Sequence, residues 1–132
     1  MATDKKDGTE NRKFKRARVN LAVIYRVDKP AKVRLTLGGK EFRATMVDLS
    51  EGGISLLTDY DIPAESGLLI KFTLFNLEKD DVSFYGPMEI TGEVRYNIPL
   101  GGREYRIGIL FKHLEDQDCR EIVNFLNRID PA

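Results

Sequence analysis

Residues Ile90 to Phe111, ITGEVRYNIPLGGREYRIGILF, hold two runs of spaced apolar residues on either side of a Pro-Leu-Gly-Gly break. Ile90, Val94, Tyr96 and Ile98 fall in step before it, and Tyr105, Ile107, Ile109 and Phe111 after it. Successive side chains of a strand return to one face with a period of two. The stretch therefore predicts a long β-hairpin turning at Pro99-Leu100-Gly101-Gly102.

The same pattern recurs upstream. Val33, Leu35 and Leu37 alternate with charged or hydroxyl residues, Gly38-Gly39 offers a turn, and Phe42, Ala44 and Met46 alternate on the far side, which predicts a second hairpin. Val19 to Val27 reads as an earlier strand ended by Pro30, and Ile54 to Thr58 as a short one. Leu68, Ile70, Phe72 and Leu74 interleave with Leu69, Lys71, Thr73 and Phe75, as in a strand buried on most of both sides, and Asn76 to Pro87 reads as a polar loop or short edge segment. The period changes only in Glu115 to Ile129, where Ile122, Phe125, Leu126 and Ile129 recur at helical spacing with Arg128 in the last turn and Pro131 beyond. Short strands joined by glycine turns, with one C-terminal helix, predict an antiparallel barrel or curled sheet that the helix covers.

The 132 residues match one compact domain, and a composition of 42% hydrophobic and 32% charged residues is that of a globular chain. No run approaches the length of a membrane span and the N-terminus has no apolar signal segment, so the expected location is the cytoplasm. A single cysteine, Cys119, and a single histidine, His113, exclude an intramolecular disulfide and a cysteine-rich zinc site. They are expected at a helix start and a strand end, and no catalytic constellation surrounds them, so neither an enzyme nor a cofactor is expected. Net charge is zero, yet residues 1–18 hold seven Lys/Arg against three Asp/Glu, a local +4 that leaves −4 for the rest. A basic arm of that kind points to an anionic partner.

Two short patterns give the arm a counterpart. Asp48-Leu49-Ser50-Glu51-Gly52-Gly53 interrupts strand-like sequence with a carboxylate and a hydroxyl two residues apart, on one side of an extended chain, followed by glycines that admit positive φ or let a ligand approach where a Cβ would intrude. The carboxylate suits the N–H edge of guanine, and the hydroxyl and exposed amides suit phosphate or base atoms. The plainer reading is a turn in which Asp48 and Ser50 bond local amides. Upstream, Arg12 and Arg16 are spaced Arg-x-x-x-Arg. A guanidinium matches guanine O6/N7 or a phosphate bidentately and can also lie flat on a purine. A solvated basic tail is the competing view.

Arg12-x-x-x-Arg16 followed by Asp48-x-Ser50-x-x-Gly53 resembles the PilZ domain, a bacterial receptor for cyclic di-GMP. RKFKRARVNLAVIY is similar to that family's arm and first strand, YRIGILF to its late strand, and the likeness spans roughly residues 11 to 129. The resemblance implies a six- or seven-stranded antiparallel β-barrel with one C-terminal helix, a flexible tail over 1–10, and a single domain over 11–130. Its ligand-binding arm would span 11–18 and its helix 115–129. It also implies that Arg12, Arg16, Asp48, Ser50 and Gly53 bind cyclic di-GMP on the outer surface of the barrel, with Lys13 and Arg18 as nearby charge and Gly52 beside them. The arm is expected to fold over the nucleotide, and the output to pass to an unknown protein partner in motility, polysaccharide or adhesion control. Asn11 stands where many members have arginine, which leaves one ligand or a stacked pair open.

Two rival readings fit the sequence as well. One is a PilZ-like adaptor that binds a protein and ignores the nucleotide, although such relatives usually lack a motif position and this chain keeps all five. The other is nucleic-acid binding through the arm, against which no second basic stripe is evident and Tyr25 and Phe42 fit the core alternation.

Overall fold

The computed structural model describes residues 16–30, 40–78 and 81–129, and for 76–78 and 81–86 the backbone path alone. Among them are six strands and one helix in chain order: β1 Arg16–Lys29, β2 Glu41–Ser50, β3 Gly53–Thr58, β4 Gly67–Glu78, β5 Asp81–Gly101, β6 Glu104–His113 and α1 Asp116–Ile129. All neighbouring pairs are antiparallel, and the order β1-β2-β3-β6-β5-β4 closes when β4 pairs with β1. The expected hairpin turn at Gly38-Gly39, its first strand at Lys32 to Leu37, and Arg12 and Lys13 of the arm lie outside the described residues.

The inward face of each strand carries the alternation read in the sequence. Leu21, Val23, Tyr25, Met46, Leu49, Ile54, Leu56, Leu68, Ile70, Leu74, Ile90, Val94, Ile107 and Ile109 fill the barrel. Each full burial of such a side chain contributes roughly 1.5–3 kcal/mol. Tyr25 satisfies its hydroxyl inside by a 2.7 Å hydrogen bond with Thr58. Helix α1 has Asp116 and Asp118 in its first turn and Arg128 in its last, complementing the helix dipole, and buries Ile122, Phe125 and Leu126. It packs against β4 and β5, with lighter contact on β1 and β2.

Four sequence expectations are corrected. Of the polar loop or short edge segment expected over Asn76 to Pro87, the described residues form neither a loop nor a short segment: β4 and β5 run on as a paired ribbon, with Leu74 opposite Tyr85 and Glu78 opposite Asp81. Polar residues do not end a strand whose neighbour in the chain can still pair with it. The outer face of β4 is not buried, since Phe75 is exposed and Lys71 makes a 2.7 Å ion pair with Glu41 at the surface. The last hairpin turns at Gly102-Arg103, both with positive φ, because Gly101 still pairs with Glu104 and Pro99 with Tyr105. Finally, β1 begins at Arg16 rather than Val19, so Arg16 and Arg18 of the expected arm are paired strand residues, opposite Ser50 and Asp48.

Two extra residues decide what faces outward. Met46 pairs with Leu56 and Asp48 with Ser55, so Val47 is one residue too many for the ladder. Val94 pairs with Ile109 and Tyr96 with Gly108, so Arg95 is likewise surplus. A bulge of this kind reverses the inside-outside phase of everything after it. Met46 and Leu49 both point inward, three residues apart, which leaves Asp48 and Ser50 on the outer wall. Val94 points inward, and Tyr96, Ile98 and Leu100 turn outward, where they are exposed, instead of sharing its face as their spacing suggested.

Candidate functional site

The outer wall that these bulges expose carries a cavity of about 280 Å³, lined by residues of five strands and of the β2–β3 junction. Arg16 enters from β1, Asp48 and Ser50 from β2, Ser55 from β3, Gly108 from β6, and Arg95 and Tyr96 from β5, with Gly52 and Gly53 at the rim. Strand pairing aligns part of this set in a single transverse row, because Arg18 opposes Asp48, Asp48 opposes Ser55, Ser55 opposes Gly108, and Gly108 opposes Tyr96.

Asp48 is the electrostatic hub. Its Oδ1 lies 3.4 Å from the Arg16 Nε, and its Oδ2 accepts from Arg106 Nη2 at 3.3 Å. Both guanidinium groups stay substantially exposed while the carboxylate is largely covered. Ion pairs so open to water contribute at most about 1 kcal/mol each. They hold Asp48 in place, yet either arginine can exchange it for a stronger anion at little cost. Arg95 adds a third guanidinium, near Glu93 at 4.0 Å. With Arg16 and Arg95 against the single carboxylate of Asp48, the cavity lining carries a surplus of positive charge, the field that attracts phosphate.

Ser50 does what the plainer sequence reading says. Its Oγ accepts from the amides of Gly52 at 3.1 Å and Gly53 at 3.2 Å, which tightens the junction into a serine turn. Its proton has only a 3.4 Å approach to the Gly53 carbonyl. Neither glycine takes the positive φ considered for them, and Gly53 meets a different need. Gly53 lies so close to β6 that a Cβ would collide with the Ile109 carbonyl oxygen, and the Gly52 carbonyl accepts from the Phe111 amide at 3.0 Å. Glu51, between Ser50 and Gly52, accepts a 3.2 Å hydrogen bond from the Cys119 thiol of α1, which holds that thiol above its ordinary pKa. Cys119 and His113 lie where the sequence placed them, in the first turn of α1 and at the end of β6.

The structure thus brings Arg16, Asp48, Ser50, Gly52 and Gly53 together; Arg18 stands beside them in register with its side chain outside the cavity lining. Sequence reasoning missed Ser55, Arg95, Tyr96, Arg106 and Gly108. Gly108 carried a signal, since a glycine inside a strand marks a close approach. Its partner is the Tyr96 ring, which rests directly on it while the Tyr96 hydroxyl lies 3.0 Å from the Ser55 hydroxyl. No group of three or more metal-ligating side chains occurs among the described residues, and no helix among them is long and apolar enough to cross a membrane.

A small antiparallel barrel with a cationic cavity on its outer wall and a C-terminal helix is a ligand-binding module in form. The profile of the PilZ domain matches residues 10–128, nearly the entire sequence, and the chain belongs to that family. Solved structures agree on the fold. The Bacillus subtilis inhibitor of motility (MotI/DgrA) superposes with a TM-score of 0.68 at 15% identity, over 91% of this chain and 51% of its own. The K. pneumonia MrkH–c-di-GMP complex gives 0.61 at 19%, over 89% and 52%. The PilZ domain of Escherichia coli YcgR with c-di-GMP gives 0.60 at 13%, over 91% and 92%. The chain spans about half the length of the first two. Among curated proteins, none matches it.

Proposed function

We propose that this chain is a cyclic di-GMP receptor that binds the nucleotide on its outer wall and passes the signal to a protein partner. The observation that carries the reading is the meeting of Arg16, Asp48, Ser50 and Gly53 in one cation-rich cavity, although they come from three strands. Two of the similar structures, MrkH and the YcgR domain, are complexes with c-di-GMP, which supports the same ligand here.

Each residue has a role that its chemistry fits. Arg16 leaves Asp48 for a phosphate or a guanine edge, because that pairing is bidentate and better shielded than the one it gives up. Asp48, held from its other side by Arg106, accepts from the N–H edge of guanine. Gly52 and Gly53 keep the rim low enough for a phosphate to approach. Ser50 sets the shape of that rim through its two amide bonds and directs its proton to the ligand. Arg12 and Lys13 add charge from the arm, Arg18 from the adjacent strand position, and the arm closes over the bound nucleotide. Ordering it opposes binding, and charge-assisted clasps offset that cost. No reaction is involved: the domain acts in the cytoplasm as a sensor without a cofactor, and its partner belongs to motility, polysaccharide or adhesion machinery.

Calorimetric titration of the purified chain with cyclic di-GMP tests this, with GTP and cyclic di-AMP as controls. The expected result is saturable binding of cyclic di-GMP, weaker binding of the controls, a melting temperature that rises with ligand, and affinity that falls with salt. A flat trace with an unchanged melting temperature overturns the reading and leaves a protein adaptor in its place.

A further inference from the structure

Tyr96 is outside the binding motifs, and its placement is unusual for a large aromatic. The surplus residue Arg95 turns it out of the barrel, where 38% of it stays exposed although the preceding Val94 is fully buried. We infer that Tyr96 is a stacking platform for a purine of the ligand; the inference rests on the reading of the cavity as a cyclic dinucleotide site.

Three observations carry it. The ring is fixed before any ligand arrives: one side of it rests on Gly108, where a Cβ would overlap its Cδ2, Cε2 and Cζ, and its hydroxyl is tied to Ser55 Oγ at 3.0 Å. A surface aromatic held at both ends has already lost its rotamer freedom, so stacking on it sacrifices little further entropy. The ring also lines the same cavity as Arg16 and Asp48. Finally, it stands in the transverse row that contains Asp48, seated over Gly108 two strands away, or about 10 Å at ordinary strand spacing. A purine whose N–H edge meets Asp48 can reach the ring across that gap. Stacking is tolerant of base identity, so in this division of labour Tyr96 supplies affinity for any purine and Asp48 supplies the preference for guanine.

A tyrosine laid on a strand glycine also stabilises a sheet without any ligand, and the test must separate the two roles. The chain has no tryptophan, so Tyr96→Trp installs a single indole reporter at this position. Tyr96→Leu keeps an apolar cover on Gly108 and removes the ring. With the full chain and cyclic di-GMP, Tyr96→Leu should weaken binding by roughly five- to a hundredfold, with little change in the melting temperature of the free protein. Tyr96→Trp should bind and lose emission as guanine stacks on the indole. If parent and Tyr96→Leu bind equally, or if the indole emission is unchanged at saturation, the platform is wrong while the receptor reading stands. Where Tyr96→Leu fails to fold, the emission of Tyr96→Trp decides alone. If the parent itself binds no cyclic di-GMP, the receptor reading fails and takes the platform with it.

Discussion

Among the described residues two glycine pairs join strands, and they are there for opposite reasons. At Gly101-Gly102 the backbone takes φ of 89° and 61°, Arg103 follows at 70°, and nothing lies within 4 Å of where a Cβ would stand on either glycine. Conformation alone selects glycine there. Neither Gly52 nor Gly53 takes a positive φ, and at Gly53 the Ile109 carbonyl occupies the position a Cβ would need. Space selects glycine at Gly53, and β6, the strand that takes the space, also carries Gly108, over which β5 lays Tyr96. The same dipeptide marks a solvent-facing turn in one case and the rim of a binding site in the other, and only the neighbours distinguish them.

The contrast can be broken most directly by Gly53→Ala. A methyl driven against a backbone carbonyl forces β3 and β6 apart, and chemical unfolding should show a loss of about 3 kcal/mol, with cyclic di-GMP binding impaired as well. An alanine tolerated at Gly53 would mean that the strands do not approach as described. Next in size, Arg16→Ala should weaken cyclic di-GMP about tenfold to a hundredfold by calorimetry with almost no change in unfolding midpoint, since its ion pair with Asp48 is open to water. Gly102→Ala meets only the strain of a left-handed backbone, about 1 kcal/mol, and should leave binding untouched; a loss of affinity there would erase the distinction between the two connections. The smallest effect concerns the helix beside the first junction. The Glu51 carboxylate holds the Cys119 thiol above its ordinary pKa, so fewer thiolates form at a given pH. Glu51→Ala should lower that pKa and speed alkylation of Cys119 by about two- to threefold near pH 8.

Much of the barrel was legible because period-two alternation and helical spacing follow directly from which side chains are buried. Val19 to Tyr25, Leu68 to Leu74 and Ile122 to Ile129 kept the inward faces their spacing indicated. What escaped was phase. Alternation fixes which residues share a face only until an extra residue intervenes, and nothing in MVD or VRY announces that Val47 and Arg95 are surplus. Turn position was lost for a related reason: a turn centred on Leu100-Gly101 sets Gly108 against Glu93, whereas the observed turn at Gly102-Arg103 sets it against Tyr96. At the site, Asp48, Ser50, Gly52 and Gly53 stood out because they are contiguous, and Arg16 because it belongs to a spaced pair. Ser55, Arg95, Arg106 and Tyr96 did not, because each is an ordinary residue until strand pairing places it in the cavity lining or, for Arg106, against Asp48.

The bulges at Val47 and Arg95 give this wall two places where chain length can change without changing what it presents. Losing one codon at either place leaves Met46 opposite Leu56 and Asp48 opposite Ser55, or Val94 opposite Ile109 and Tyr96 opposite Gly108, and restores plain alternation. The carboxylate and the aromatic ring stay on the outer wall. Between relatives of this domain, a gap of one at these two places therefore says little about whether the wall can receive a ligand, whereas a gap inside the regular ladder of β2 or β5, with no surplus residue to absorb it, turns the side chains beyond it inside out.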